Sequence, residues 1–135
     1  MESKNRNGYF AFKMEQAREA YNEAQGLLED DAELRYVMNS LYYAYYYPVL
    51  ALLQAAGSGA AMQSVSIALF EKRFSGSGII DYRFFPAIRK AFELKPKCTD
   101  AVPRFIDRAA VDTLFQDAQD FYHAVETAEH RVATP

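Results

Sequence analysis

Five tyrosines in six positions, Tyr42, Tyr43, Tyr45, Tyr46 and Tyr47, concentrate phenol chemistry in one stretch. Each ring can bury a broad apolar face or stack on a nucleobase, and each hydroxyl needs a partner once it leaves water. Further along, Arg89, Lys90, Lys95 and Lys97 place four cations within nine residues. With Asn39, Tyr42 and Tyr46 these could line a groove in which bases stack on phenols and phosphates meet ammonium or guanidinium groups. The competing reading is plainer. Tyrosines on a central helix serve as core or subunit contacts, and Arg89 and Lys90 belong to a solvated face.

Other residue types carry less. His123 and His130 stand seven apart but lack a carboxylate or cysteine cluster at ligand spacing, so neither a metal site nor a cofactor is expected. Gly76-Ser77-Gly78 runs into Ile79 without the spacing of a phosphate loop and reads as a helix stop. Cys98 is the single cysteine, which excludes an internal disulfide. Its only sequence neighbours with charge to lower a thiol's pKa are Lys95 and Lys97, and no histidine pairs with it locally, so it reads as incidental.

These residues belong to a chain of 135, one domain's length, of which half are hydrophobic. Fifteen basic against 18 acidic residues give a net charge of -3, which argues against an unspecific nucleic-acid binder while leaving room for a local basic patch. No apolar run approaches the roughly 20 residues of a membrane span. The opening residues lack a signal peptide's apolar segment. A reducing cytoplasm is the expected home.

Helical periodicity runs through the chain. Residues 1–8 read as a loose tail before a single domain over 9–131. Phe10, Met14, Ala17, Tyr21, Ala24 and Leu28 recur at spacings of three and four, one face of a first helix. Asp30-Asp31-Ala32-Glu33 reads as a capping box for a second helix. On it Leu34, Met38, Leu41, Tyr45 and Leu52 form one stripe, while Pro48 predicts a bend or break. A third helix of about four turns carries Met62, Val65, Ile67, Leu69, Phe70 and Phe74 before the Ser75–Gly78 stop. Asp81 can cap a fourth with Phe84, Phe85, Ile88 and Phe92 on its core face. Pro96 and Pro103 bracket a loop. A fifth helix starts near Asp107, with Val111, Leu114, Ala118, Phe121 or Tyr122, Val125 and Ala128 inward. The pattern predicts an all-α, antiparallel up-and-down bundle of about five helices.

Asn39-Ser40-Leu41-Tyr42-Tyr43-Ala44-Tyr45-Tyr46, followed by Leu52-Leu53, resembles the signature helix of the HEPN family, where a polar pair precedes a Tyr-Tyr-Ala core, an aromatic and a leucine pair. The segment from Leu69 to Asp81 resembles the family's phenylalanine-bearing helix end and glycine turn. Ile88 to Lys95 resembles the helix that leads into its basic motif. Together the three cover most of residues 10 to 125.

The resemblance implies an HEPN-like bundle of the small prokaryotic kind, a homodimer, and a nucleotide- or RNA-associated role. It also implies a toxin–antitoxin or defence pair with a separately encoded nucleotidyltransferase-type partner. Many catalytic members cut RNA without metal, using an arginine and a histidine a short spacer apart. Neither His123 nor His130 has an arginine at that upstream distance. In the subfamily of closest pattern the fourth helix ends with arginine and continues into Asp-Tyr. Here Lys95 takes the arginine's place and Asp100 the acidic residue's, with one insertion and Ala101 where the tyrosine would fall. Lys95 and Asp100 are therefore the catalytic candidates carried over. Lysine keeps the charge without the bidentate fork, so the site reads as degenerate, with binding at Asn39, Tyr42, Tyr46, Arg89 and Lys97. The alternative is a non-catalytic, homodimeric interaction protein that docks a partner, in which Tyr45 and Tyr46 would carry assembly.

Overall fold

The structure, a computed structural model, describes residues 2–58, 62–97 and 105–133. It is all-α: α1 spans Glu2–Glu29, α2 Leu34–Ala55, α3 Gln63–Phe70, α4 Phe84–Leu94 and α5 Arg108–Ala133. A π-helical turn, Glu71–Ser75, continues α3. No strand occurs among the described residues. The backbone is helical from Glu2, so the stretch expected as a tail extends α1 instead. Gly8 and Gly26 are its glycines, each a penalty of about 1 kcal/mol that a long helix absorbs.

Helix α1 buries Phe10, Met14, Ala17, Ala20 and Ala24, an apolar stripe at the predicted spacing. It ends on Asp31, whose φ of 58 is left-handed. The Asp31 amide donates to the Leu28 carbonyl at 3.2 Å and the Ala32 amide to that of Leu27 at 3.0 Å. These are the two bonds of a Schellman close. The capping box expected over Asp30–Glu33 does not form. Glu33 holds the N-cap position of α2 with no side-chain bond to the helix, and pairs with Arg35 at 3.0 Å.

Helix α2 is the centre. It packs against α1, α3, α4 and α5, and Val37, Met38, Leu41, Tyr45, Val49, Ala51, Leu52 and Leu53 are all fully buried. Each large aliphatic among them contributes roughly 1.5–3 kcal/mol by leaving water. Pro48 lies inside α2, buried, and the helix continues unbroken through it. Proline withdraws the amide that the Ala44 carbonyl would otherwise receive; packing on every side holds the helix together there. Gly57, at φ 76, closes α2. Arg73 secures that end, donating to the Ala56 carbonyl at 3.4 Å and to the Ser58 hydroxyl.

The third segment departs from the expected four-turn helix. Two α turns widen into the π turn, where the Gly76 amide donates to Glu71, five residues back, at 2.7 Å. A β-carbon at Gly76 would stand 3.2 Å from the Glu71 carbonyl, which is why glycine suits that close approach. Asp81 does not cap α4: its carboxylate accepts the Arg83 amide at 2.9 Å in the turn before the helix, while Arg83 holds the N-cap position with no side-chain bond to the helix. Asp107 stands just before α5 and accepts from the Ala109 amide at 3.3 Å. Arg83 then ties the two helices, lying near Asp81, Asp117 and Asp120 and over the Phe84 ring at 4.1 Å. On α5 the ring turned inward is Phe121, fully buried; Tyr122 is half-buried.

Candidate functional site

The tyrosines of α2 fall into three groups because successive residues on a helix point about 100° apart. Tyr45 points into the core. It is fully buried, donates to the Leu114 carbonyl at 2.5 Å and stacks on Phe121 with centroids 5.9 Å apart. Burial, with the charge of Asp117 adding to it, drives its phenol far above the ordinary range.

Tyr42 and Tyr46 form an inner pair, one helical turn apart and stacked at 5.6 Å. They are 1 % and 6 % exposed. Tyr42 donates to the Gln63 side-chain carbonyl at 2.8 Å and lies 6.0 Å from the Phe92 ring. Its phenol too is raised, by burial first and then by Tyr46 and Tyr43. The faces on which a base was expected to stack are thus covered by the protein's own side chains. Tyr45 and Tyr46 are likewise buried within their own chain.

Tyr43 and Tyr47 form the outer pair, half-buried and stacked at 5.3 Å. Here cations meet rings. Lys95, at the C-cap of α4, holds its Nζ 5.1 Å from the Tyr42 centroid and 5.3 Å from that of Tyr43. Lys13 of α1 sits 5.2 Å from the Tyr47 centroid, 5.6 Å from Tyr9 and 5.8 Å from Phe12. Beyond Tyr42, Lys97 lies 5.7 Å from the Phe92 centroid and Arg89 5.9 Å from that of Phe85. A continuous strip results, Lys13–Tyr47–Tyr43–Lys95–Tyr42–Phe92–Lys97, in which each member meets the next. Each such cation–ring contact is worth roughly 0.5–1 kcal/mol at an exposed position.

The residues singled out by sequence divide over this strip. Lys95 occupies its middle. Arg89 and Lys97 share a groove of about 330 Å³ between α3 and α4, floored by Ile67, Phe85 and Phe92 and edged by Glu71 and Glu93. Asn39 is exposed and lies apart from them, in a groove between α1 and α2 with Gln16, Glu19, Glu23 and Tyr43. Asp100 and Cys98 lie outside the described residues. Four members of the strip were not picked out from sequence as site residues: Lys13, Tyr43, Tyr47 and Phe92. The spacing of Tyr43 and Tyr47 by one helical turn was a legible signal for a second aromatic column. Nothing local tied Lys13 to it, because that contact crosses between helices.

Among the described residues no three His, Cys, Asp or Glu side chains gather as a metal would require. His123 pairs instead with Glu126 on the surface of α5 at 3.1 Å. No described helix is long and apolar enough to cross a membrane.

Compared with models of known protein families, the chain matches none, and compared with curated proteins it again matches none.

Proposed function

We propose that this chain is an RNA-associated helical module of the HEPN kind, acting in the cytoplasm, that holds a single strand along the cation–ring strip of α1, α2 and α4. The observation that carries the reading is the position of Lys95, whose ammonium rests on two tyrosine rings. A bound phosphate can draw that ammonium outward while a base takes its place on the accessible face of Tyr43. Base–aromatic stacking contributes about 1–3 kcal/mol per base and is tolerant of sequence. Lys95 also stands where the HEPN pattern has its arginine, so the same residue would stabilise charge on a phosphate under attack. Under this reading the protein is a homodimer and one half of a toxin–antitoxin or defence pair, its counterpart a nucleotidyltransferase.

The experiment is fluorescence anisotropy with a short labelled single-stranded RNA, run beside a metal-free cleavage gel. Binding that weakens in Lys95→Ala and Lys13→Ala supports the strip. Cleavage that disappears in Lys95→Ala adds catalysis. No binding by the wild type sinks the proposal.

A second reading rests on Phe12, 60 % exposed, whose ring meets the same Lys13 ammonium as Tyr9 and Tyr47. A non-catalytic interaction protein would use this aromatic patch against a second copy. Phe12→Ser would then convert a dimer to a monomer on sizing while leaving RNA binding as it was.

A further inference from the structure

The seam between α1 and α5 is closed at one place by Tyr21 and Phe115, whose rings meet edge to face at 5.4 Å. Beside that contact it opens into a groove of about 340 Å³, within the size range of small-molecule sites. The floor is made by Ala17, Ala44 and Ala118, one from each of α1, α2 and α5, all buried. Three methyl groups at a helix crossing leave depth that a larger side chain would fill.

Tyr21 and Tyr122 wall the groove, and Asn22, Gln25 and Gln119 stand on its rim. None of these carboxamides hydrogen-bonds to another group among the described residues. A carboxamide presents donor and acceptor side by side, the pairing that reads the edge of a nitrogen heterocycle. Arg18 at the rim is paired with Glu15 at 3.1 Å, and beside the His123 ring, 3.1 Å away, stands the Glu126 carboxylate, so the groove suits a neutral ring better than a phosphate.

We propose that the α1–α5 groove binds a heterocyclic base, its ring against Tyr21 and Tyr122 and its edge hydrogen-bonded to Gln25 and Gln119. The groove shares no lining residue with the cation–ring strip, and its ligand does not depend on that strip holding RNA. The base can belong to a free nucleoside or to a nucleotide of an RNA chain.

The test is an amide chemical-shift titration of the isotope-labelled full chain, with adenosine, guanosine, cytidine and uridine in turn, and separately with a short mixed-sequence single-stranded RNA. Saturable shifts centred on Ala17 and Ala118 are expected. They should weaken about tenfold in a Gln25→Ala/Gln119→Ala double variant, whose substitutions are exposed and leave the melting transition in place. Lys95→Ala should leave these shifts intact, which separates this groove from the strip. Shifts with nucleosides identify a small ligand, and shifts with RNA alone identify a base within a strand. Absence of shifts around Ala17 and Ala118 with both probes at millimolar concentration overturns the proposal. So does undiminished affinity in the folded double variant.

Discussion

Tyr45 of α2 donates its hydroxyl to the Leu114 carbonyl of α5 at 2.5 Å, a buried bond spanning 69 positions of sequence. It joins the central helix to the last one, and the Tyr45 ring rests on Phe121 beside it. Tyr45→Phe should keep the packing and lose about 1 kcal/mol. Tyr45→Ala should lose about 3–5 kcal/mol by opening a cavity. Urea denaturation of both variants measures this. A Tyr45→Ala protein as stable as wild type but altered in oligomeric state would show that the residue serves assembly instead.

The same phenol sets a response to alkali. Burial raises Tyr45 above its ordinary 10.0, so the native chain keeps a proton that the unfolded chain releases from about pH 10 upward. That stabilisation is fully present below pH 10 and is lost as pH climbs toward the folded value. Above pH 10 the loss for Tyr45 is about 1.4 kcal/mol per pH unit. The urea midpoint should be level near neutrality and fall in strong alkali, less steeply in Tyr45→Phe. Equal slopes for the two proteins would remove Tyr45 as a cause.

Asp31 closes α1 in a left-handed conformation that L side chains tolerate poorly. Asp31→Gly should raise stability by up to about 1 kcal/mol, relieving strain and removing a carboxylate from a helix C-terminus. Gly57→Ala, which introduces the same strain at the end of α2, should lower it by about 1 kcal/mol. Thermal melts of the pair should therefore move in opposite directions.

Arg83 faces three carboxylates, those of Asp81, Asp117 and Asp120, and is itself about half exposed. Exposed ion pairs contribute roughly 0–1 kcal/mol each and weaken with salt. Arg83→Ala should cost about 1 kcal/mol in dilute buffer and less in molar salt. A loss that ignores salt would assign the effect to the guanidinium's packing on Phe84.

RNA held on the strip should show a logarithmic salt dependence of about -0.7 for each phosphate neutralised on a single strand. Removing Lys13 or Lys95 should each flatten the slope by roughly that amount. A slope unchanged in both variants would place the phosphates elsewhere.

Periodicity made the helices legible. Phe10, Met14, Ala17 and Ala24 on α1, and Val111, Leu114, Ala118 and Val125 on α5, are buried as their spacing predicts. Local chemistry that competes for the same residues was harder to read. Asp31 carries both the capping preference of an aspartate and its tolerance of left-handed backbone, and ending α1 took precedence. The inner and outer tyrosine pairs have identical composition and spacing, so only their neighbours decide which is buried. Arg89 with Lys97 could be paired from sequence because both flank the end of one helix. Lys13 with Tyr47 could not, since their meeting depends on how α1 lies against α2.

The wide turn at Glu71–Ser75 acts as a phase shifter. An α-helix advances about 100° per residue, and a π turn accommodates one residue more before the path repeats. The chain therefore reaches Gly76 one step out of phase with a straight continuation of α3, with Phe74 still buried and its carbonyl receiving the Ile80 amide at 3.0 Å. Removing one residue from that turn would restore regular winding and swing all that follows by about 100°. For Ile80 and the approach to α4, this would be a frameshift in three dimensions, more disruptive than a substitution at the same place.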